Sequence, residues 1–175
     1  RGEIFTVPVE KGDARNLTRS SGAADRAPVW SPDGQRVAWF SDEGTGYRLL
    51  IGNADGLGTP RAIALGDAKM AWSPAWSPDG NHIAFVDNKV RLRVVNLASG
   101  AIAVADTGGG STDQDAMSPA WSPDSKWIAY AKTYPNQFRR VMVWSMADGR
   151  KHALTDALAS AGEPAWDANG KWLYF

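Results

Sequence analysis

Two histidines and one serine-containing loop are the parts of this chain that could take part in nucleophilic catalysis. A catalytic triad needs a histidine paired with a nucleophile and an orienting acid, and the histidines are His82 and His152. The chain has no Cys and no Gly-x-Ser-x-Gly nucleophile elbow. Its nearest likeness is Gly108-Gly109-Gly110-Ser111, whose backbone N–H groups could form an oxyanion hole. No strand–elbow–helix context surrounds this stretch, so we interpret it as a surface loop and both histidines as strand-face residues. The sequence predicts no catalytic residue.

Several aspartates could hold a metal ion or form a ring of acids. Asp113 and Asp115, with a glutamine between them, could offer oxygen ligands to calcium, which takes six or more. The glycine and glutamate pattern of a calcium loop is missing, so we predict no metal and no other cofactor. Asp33, Asp79 and Asp124 recur at equivalent places, but each follows Ser-Pro, where Asp shapes a tight turn. We therefore expect a structural role for these three.

Composition excludes some classes of partner. The 175 residues contain 19 Lys and Arg and 19 Asp and Glu, which gives a formal net charge of zero. A general nucleic-acid or anionic-membrane binder needs a basic excess that is absent here. No stretch approaches the roughly 18 apolar residues of a membrane span. With 43% hydrophobic residues, the chain can form a packed core.

The dominant feature of the sequence is a repeat centred on tryptophan. Four copies, of which the last has diverged, are Pro28-Val29-Trp30-Ser31-Pro32-Asp33-Gly34, Pro74-Ala75-Trp76-Ser77-Pro78-Asp79-Gly80, Pro119-Ala120-Trp121-Ser122-Pro123-Asp124-Ser125 and Pro164-Ala165-Trp166-Asp167-Ala168-Asn169-Gly170. Successive tryptophans are 46, 45 and 45 residues apart. A period near 45 is typical of units of four strands.

Each repeat is predicted to be a four-stranded antiparallel unit. A short first strand ends at the tryptophan, Ser-Pro-Asp-Gly makes a turn, and a second strand rich in β-branched and aromatic residues follows, as in 36–40, 82–86 and 127–131. Third and fourth strands complete the unit, and no sustained helical period occurs. The sequence therefore predicts an all-β fold with almost no helix, namely a segment of a β-propeller.

The predicted segment amounts to about four blade equivalents. We expect a half blade at 3–18, full blades at 28–65, 74–106 and 119–155, and a half blade at 164–175. Since the chain begins and stops inside predicted strands, we expect it to be part of a larger ring, although the two half blades could also complete one. Open half blades expose unpaired strand edges, so an isolated 1–175 segment is expected to dimerise, swap strands or aggregate unless the four blades close into a ring.

Aromatic residues and one hairpin supply the candidate contact sites. The repeat tryptophans are expected to fill the space between neighbouring blades. Trp72 lies just before a first strand and could face the channel, and residues 133–140 are predicted to lengthen one hairpin by about five residues. Exposed aromatic and arginine side chains on a loop tip suit contact with a peptide or partner. The candidates in that hairpin are Tyr134, Phe138, Arg139 and Arg140.

The repeat resembles the propeller repeats of TolB, of prolyl-oligopeptidase-like peptidases and of the tricorn protease. The segments that resemble tricorn-type proteases most, in particular their N-terminal propeller, are 1–8, 12–18, 29–42 and 166–175. The third and fourth repeats depart from the pattern at Ser125 and at Asp167-Ala168-Asn169, but these residues also suit turns.

The resemblance implies a function that the residues alone do not. Tricorn-type proteases are multidomain serine peptidases whose propellers filter or channel oligopeptides, and whose catalytic residues lie in another domain and match no position here. The implied role is therefore a noncatalytic propeller of a homo-oligomeric, cytoplasmic peptidase, whose partners are oligopeptides and the other domains or subunits of that protease. Two alternatives stay open: a TolB-like interaction propeller, and the propeller cap of a dipeptidyl or acylaminoacyl peptidase. A periplasmic or exported location is the alternative to the cytoplasm.

Overall fold

The chain is described by a computed structural model that covers residues 2–20, 22–110, 113–156 and 158–175. It divides into two compact units, residues 1–70 and 71–175. Each unit is built from antiparallel sheets in which strands follow one another in chain order. The predicted all-β fold of repeated four-stranded sheets is confirmed.

The first unit contains a strand pair and one four-stranded sheet. The pair is β1 (Phe5–Thr6) with β2 (Arg15–Asn16). The sheet runs in the order β3 (Arg26–Trp30), β4 (Arg36–Ser41), β5 (Arg48–Asn53) and β6 (Arg61–Ala64). Ile4 and Leu17, beside the strand pair, pack with Val37, Trp39 and Leu50 of the sheet in one buried cluster.

The second unit contains two four-stranded sheets, which we call the second and third sheets, and a final strand pair. The second sheet comprises β7 (Ala71–Trp76), β8 (His82–Asp87), β9 (Arg91–Asn96) and β10 (Ile102–Thr107). A four-residue helical turn, α1 (Asp113–Ala116), leads to the third sheet, which comprises β11 (Ala120–Trp121), β12 (Trp127–Thr133), β13 (Arg139–Ser145) and β14 (Lys151–Ala153). The pair is β15 (Ala165–Trp166) with β16 (Leu173–Tyr174). No helix among the described residues has the length and hydropathy to cross a membrane.

A serine hydroxyl closes the turn between the first and second strands of each four-stranded sheet. In the first sheet the Ser31 hydroxyl accepts a hydrogen bond from the Arg36 backbone N–H at 2.9 Å and donates to the Asp33 carboxylate. Asp33 in turn accepts from the Gln35 N–H. The bond from Ser31 lowers the pKa of Asp33 below its usual value. Ser77 with Asp79, and Ser122 with Asp124, repeat this arrangement.

The diverged fourth repeat keeps the same closure with a different residue. Asp167 replaces the serine, and its carboxylate accepts the Trp172 backbone N–H at 2.8 Å and the Asn169 N–H at 3.3 Å. A single carboxylate therefore supplies the acceptors that serine and aspartate share elsewhere. The bond from the Trp172 N–H holds the pKa of Asp167 below its usual value.

Ser125 occupies a turn position that holds glycine in the other repeats. Gly34 and Gly80 have φ values of 69° and 73°, and Ser125 has 60°, a region that L residues rarely adopt. The Ser125 hydroxyl accepts a hydrogen bond from the Asp79 backbone N–H at 3.0 Å. This bond joins the turns of the second and third sheets and offsets the backbone strain.

The repeat tryptophans join successive first strands in the second unit. The Trp121 indole N–H donates to the Ala75 carbonyl at 3.0 Å, and Trp166 donates to Ala120 at 3.1 Å. Trp76 is buried, as expected of a residue between sheets. The prediction was wrong for Trp30, which is 53% exposed.

The second and third sheets share one buried apolar cluster, and a carboxylate is buried beside it. Val86 and Leu92 pack with Ile128 and Tyr130 in one cluster. Beside this cluster lies Asp106, which is 5% exposed. This carboxylate ties β10 to the third sheet.

Three side chains from the third sheet reach Asp106. It accepts hydrogen bonds from the Tyr130 hydroxyl at 2.8 Å, from Lys151 at 2.9 Å and from Lys132 at 3.1 Å. Burial alone would raise the pKa of Asp106, but these bonds and the Thr107 N–H outweigh burial and lower it. Burial and the nearby carboxylate raise the pKa of Tyr130. Asp106 is therefore held as the anion and Tyr130 as the neutral donor.

The first prediction concerns the strained turn at Ser125. Ser125→Ala removes the acceptor for the Asp79 N–H and keeps the positive φ, so the free energy of unfolding should fall by about 1 kcal/mol. Ser125→Gly removes the same acceptor but relieves backbone strain of about 1 kcal/mol. Its free energy of unfolding should therefore stay close to that of the wild type. Urea unfolding of the two variants measures the difference, and equal stabilities would show that the turn carries no strain.

The second prediction concerns the pH dependence that Asp106 confers. Because the pKa of Asp106 is lower folded than unfolded, its stabilising contribution is present at neutral pH and is lost as pH falls through the folded pKa. Asp106→Asn should lower the free energy of unfolding at pH 7 by about 2 kcal/mol. Its stability should also decline less than that of wild type between about pH 5 and pH 3.

Urea unfolding at several pH values tests this expectation, with Glu10→Gln as an exposed control. The control should follow the wild-type curve. A curve for Asp106→Asn that runs parallel to wild type would show that this carboxylate does not carry the pH dependence.

Candidate functional site

His82 holds a turn. The Asn96 side-chain oxygen accepts the backbone N–H groups of Ala98 and Ser99. The Asn96 amide nitrogen is therefore the donor to His82 Nε2, at 3.2 Å. The His82 ring also lies against the Trp121 indole, with 6.3 Å between centroids. These contacts stabilise the turn after β9.

His152 lies in a different sheet and contacts another aromatic residue. It is exposed on β14 and meets the Trp127 ring edge-on, with 6.3 Å between centroids. Gly108, Gly109 and Gly110 lie in the connection after β10, whereas Ser111 lies outside the described residues. The two histidines therefore lie on separate sheets, each against a tryptophan.

Asp113 and Asp115 do not converge on one point. Asp113 is fully buried, and its two carboxylate oxygens accept the backbone N–H groups of Gly109 and Thr133, each at 2.7 Å. Asp115, two residues along the helical turn, is exposed. Among the described residues, no group of three or more His, Asp or Glu is placed to hold a metal ion. Asp113 instead ties the loop after β10 to the end of β12.

The hairpin of the third sheet is shorter at its tip than the sequence indicated. Its connection between β12 and β13 has five residues, compared with three between β8 and β9 and six between β4 and β5. The expected five-residue extension was too large, because the whole hairpin 127–145 has 19 residues, compared with 15 in 82–96 and 18 in 36–53. Part of the difference lies in β12 and β13, which are each one residue longer than their counterparts.

The four candidate residues of this hairpin form two groups. The Arg140 guanidinium lies 4.4 Å from the centre of the Tyr134 ring, and the Tyr134 hydroxyl lies 3.6 Å from the Met142 sulfur. These two side chains are partly buried against the core of the second unit. Phe138, 41% exposed, and Arg139, also exposed, are the two that a ligand can reach.

Trp72 lies in another sheet. It is on β7 opposite Val86, partly buried, next to a bulge at Ser73 that has a φ of 49°. Met117, four residues before the next repeat tryptophan just as Trp72 is before Trp76, is fully buried. Trp72 therefore belongs to a first strand and not to the hairpin group.

Arg139 lines a cavity of about 410 Å³ in the second unit. We call this space the Arg139 cavity. Its other charged lining residues are Asp115 and Glu163, and Ala131 and Gly162 contribute small groups. The Arg139 backbone is fixed by two hydrogen bonds, from its N–H to the Ser160 hydroxyl and from the Ala161 N–H to its carbonyl. The cavity thus has charged groups of both signs and a small apolar surface.

Glu163 was missed by the sequence reasoning, although a signal was present. It lies three residues before Trp166, where the other repeats have Ala27, Ser73 and Ser118. A carboxylate at a position that holds small residues in the other repeats is not required by the fold. Comparing the repeats position by position would have identified it.

Comparisons with known proteins agree with this architecture. A family model, the tricorn protease second beta propeller domain, matches residues 1–175. The chain is 32% identical over 153 residues to a protein of Bacillus subtilis (strain 168) named "Uncharacterized peptidase YuxL", and this match covers 85% of the chain but 21% of that relative. The chain therefore spans about a fifth of that protein.

Solved structures show the same fold. The tricorn protease superposes with a TM-score of 0.80 at 20% identity, covering 98% of this chain and 17% of that one. A putative TolB from Agrobacterium tumefaciens superposes with a TM-score of 0.66 at 23% identity, covering 93% of this chain and 57% of the other. At these identities the likeness concerns the fold alone.

The matching family model is that of the second tricorn propeller, whereas the sequence segments had suggested the N-terminal one. The predicted relationship to tricorn-type propellers is confirmed by a match over the full chain. The chain belongs to the family of the tricorn protease second β-propeller domain.

Proposed function

We propose that this propeller region is a noncatalytic part of a serine peptidase, where it filters or channels oligopeptides and scaffolds the assembly of subunits. The observation that carries the proposal is the family match over all 175 residues, together with a relative that is named a peptidase. The contacts of His82 with Asn96 and of His152 with Trp127 support a structural role for both histidines.

The proposed mechanism is selection by size and extension. Antiparallel sheets with rigid hairpins admit an extended peptide between exposed loop tips and exclude a folded protein. The exposure of Phe138 and Arg139, next to the contact between Tyr134 and Arg140 in the same hairpin, supports a role for these two residues in the proposed contact. Aromatic and arginine side chains are enriched at protein interfaces.

The proposed partners follow from the same argument. They are oligopeptides and the other domains or subunits of a homo-oligomeric peptidase, with the cytoplasm as its expected compartment. The zero formal net charge supports neither nucleic acid nor an anionic membrane as a partner.

A TolB-like interaction propeller is the second candidate, because a putative TolB shares the fold over 93% of the chain. The intact protein that carries this region distinguishes the two functions. We expect a fluorophosphonate probe to label a serine in it. An intact protein without a labelled serine would contradict the peptidase proposal and favour an interaction module.

The third prediction tests the filtering role within the intact protein. Phe138→Ala should lower kcat/KM for peptides of about ten residues by about fivefold, which corresponds to the loss of about 1 kcal/mol of contact. Hydrolysis of a short chromogenic amide should not change, because a short substrate does not depend on the hairpin.

Leu57→Ala serves as the control, since Leu57 is also an exposed apolar side chain and lies in the first unit. It should leave both substrates unaffected. Equal losses on long and short substrates in Phe138→Ala would indicate damage to the catalytic domain and would contradict filtering.

A further inference from the structure

The three charged side chains of the Arg139 cavity are available to a ligand. Among the residues that the structure describes, the side chains of Arg139, Asp115 and Glu163 form no ion pair and no hydrogen bond. All three are exposed to solvent at the cavity surface. Charges of opposite sign therefore line one concavity without neutralising one another.

Arg139 is an addition to the repeat. In the cross-strand register Arg140, opposite Lys132, is the counterpart of Arg91. The Arg91 guanidinium pairs with Asp87, whereas the Arg140 guanidinium lies over the Tyr134 ring. Arg139 is an additional first residue of β13, so the second sheet offers no ion pair that it could repeat.

Glu163 is the second departure from the repeat at this cavity. Its φ of 53° is shared by Ala27 and Ser73 at the equivalent positions, with φ of 51° and 49°, so the backbone shape belongs to the repeat. The carboxylate, by contrast, is absent from the equivalent positions of the other repeats. Of the three charges that line the cavity, Arg139 and Glu163 are therefore additions to the repeat.

The size and lining of the cavity restrict the ligand. About 410 Å³ lies in the range of small-molecule sites. The apolar part of the lining includes the small residues Ala120, Ala131 and Gly162. This part of the cavity therefore suits a small side chain of the ligand. One guanidinium and two carboxylates match a ligand that carries an anionic group and a cationic group.

We propose that the Arg139 cavity binds short peptides with free ends, of about two or three residues. Arg139 pairs with the terminal carboxylate, Asp115 and Glu163 pair with the terminal ammonium group, and the alanine surface contacts a small side chain. The inference rests on the proposed function for the source of such peptides, whereas the charges and the volume are features of the cavity itself.

The fourth prediction is made for the intact protein, with its reactive serine blocked by a fluorophosphonate so that the probe is not hydrolysed. Trialanine, followed by isothermal titration calorimetry, should bind at least about tenfold more tightly than N-acetyl-trialanine or trialanine amide, because each modification removes one charge-assisted contact. Arg139→Gln should weaken trialanine binding about tenfold and abolish the preference for the acid over the amide. Glu163→Gln should reduce the preference for the free amine.

Two further variants separate charge from packing. Gly162→Leu should block binding by filling the cavity. A Cβ at residue 162 would lie 3.9 Å from its nearest neighbour, the Ala131 Cβ, so the first added carbon meets no clash. Arg150→Gln is the matched control, since Arg150 is an exposed arginine of the same sheet region that pairs with Asp148, and it should bind trialanine as wild type does.

The outcomes distinguish this inference from the proposed function. A labelled serine with no difference between trialanine and its capped forms, or Arg139→Gln equal to Arg150→Gln, overturns the cavity proposal and leaves the peptidase proposal standing. Binding of trialanine with the expected losses in a protein that takes no label supports the cavity and overturns the peptidase proposal. Circular dichroism of each variant confirms that a loss of binding is not a loss of folding.

Discussion

The second unit depends on a hydrogen bond between an indole N–H and a carbonyl one repeat earlier. Trp121 donates to Ala75 and Trp166 donates to Ala120. An indole has one donor, and it is costly to bury without an acceptor. The bond therefore fixes both the distance and the register between successive first strands. Sheets that pack mainly through apolar contacts have little other means of specifying register, since the hydrophobic effect is non-directional.

Two further polar contacts join the two four-stranded sheets of this unit at places other than the first strands. The Asp79 N–H bond to Ser125 joins the turns, and Asp106 joins the outer strand β10 to β12 and β14. Turn, first strand and outer strand are thus each tied by a directional contact. Because the apolar cluster between them is closely packed, the three contacts select one arrangement of the sheets. Asp106 reaches two lysines and a tyrosine, so this outer tie is the one that depends on charge.

The sequence predicted the repeated sheets well because their determinants are local. Ser, Asp and Gly within one turn set its geometry, and even the diverged fourth repeat is closed by Asp167, one residue in the turn. Predictions that depend on contacts between one repeat and the next were less successful. Trp30 was expected between sheets but is 53% exposed, although its own repeat matches the others in sequence. The Asp106 contacts join residues 24 to 45 apart, and no spacing rule within one repeat indicates them.

The same reasoning explains why the candidate site was found only in part. Arg139 was recognised from its place in a hairpin, whereas Glu163 and Asp115 come to the same cavity from separate connections. In a repeat protein most residues that the fold requires recur, so a charge that appears in one copy and pairs with no described residue has another cause. Arg139 and Glu163 fit this description, and they lie at or just before the start of a strand. A scaffold whose turns and tryptophans are constrained, and whose strand ends are free to vary, can acquire a binding site without loss of stability. On this view the selectivity of a propeller resides in the departures from its repeat.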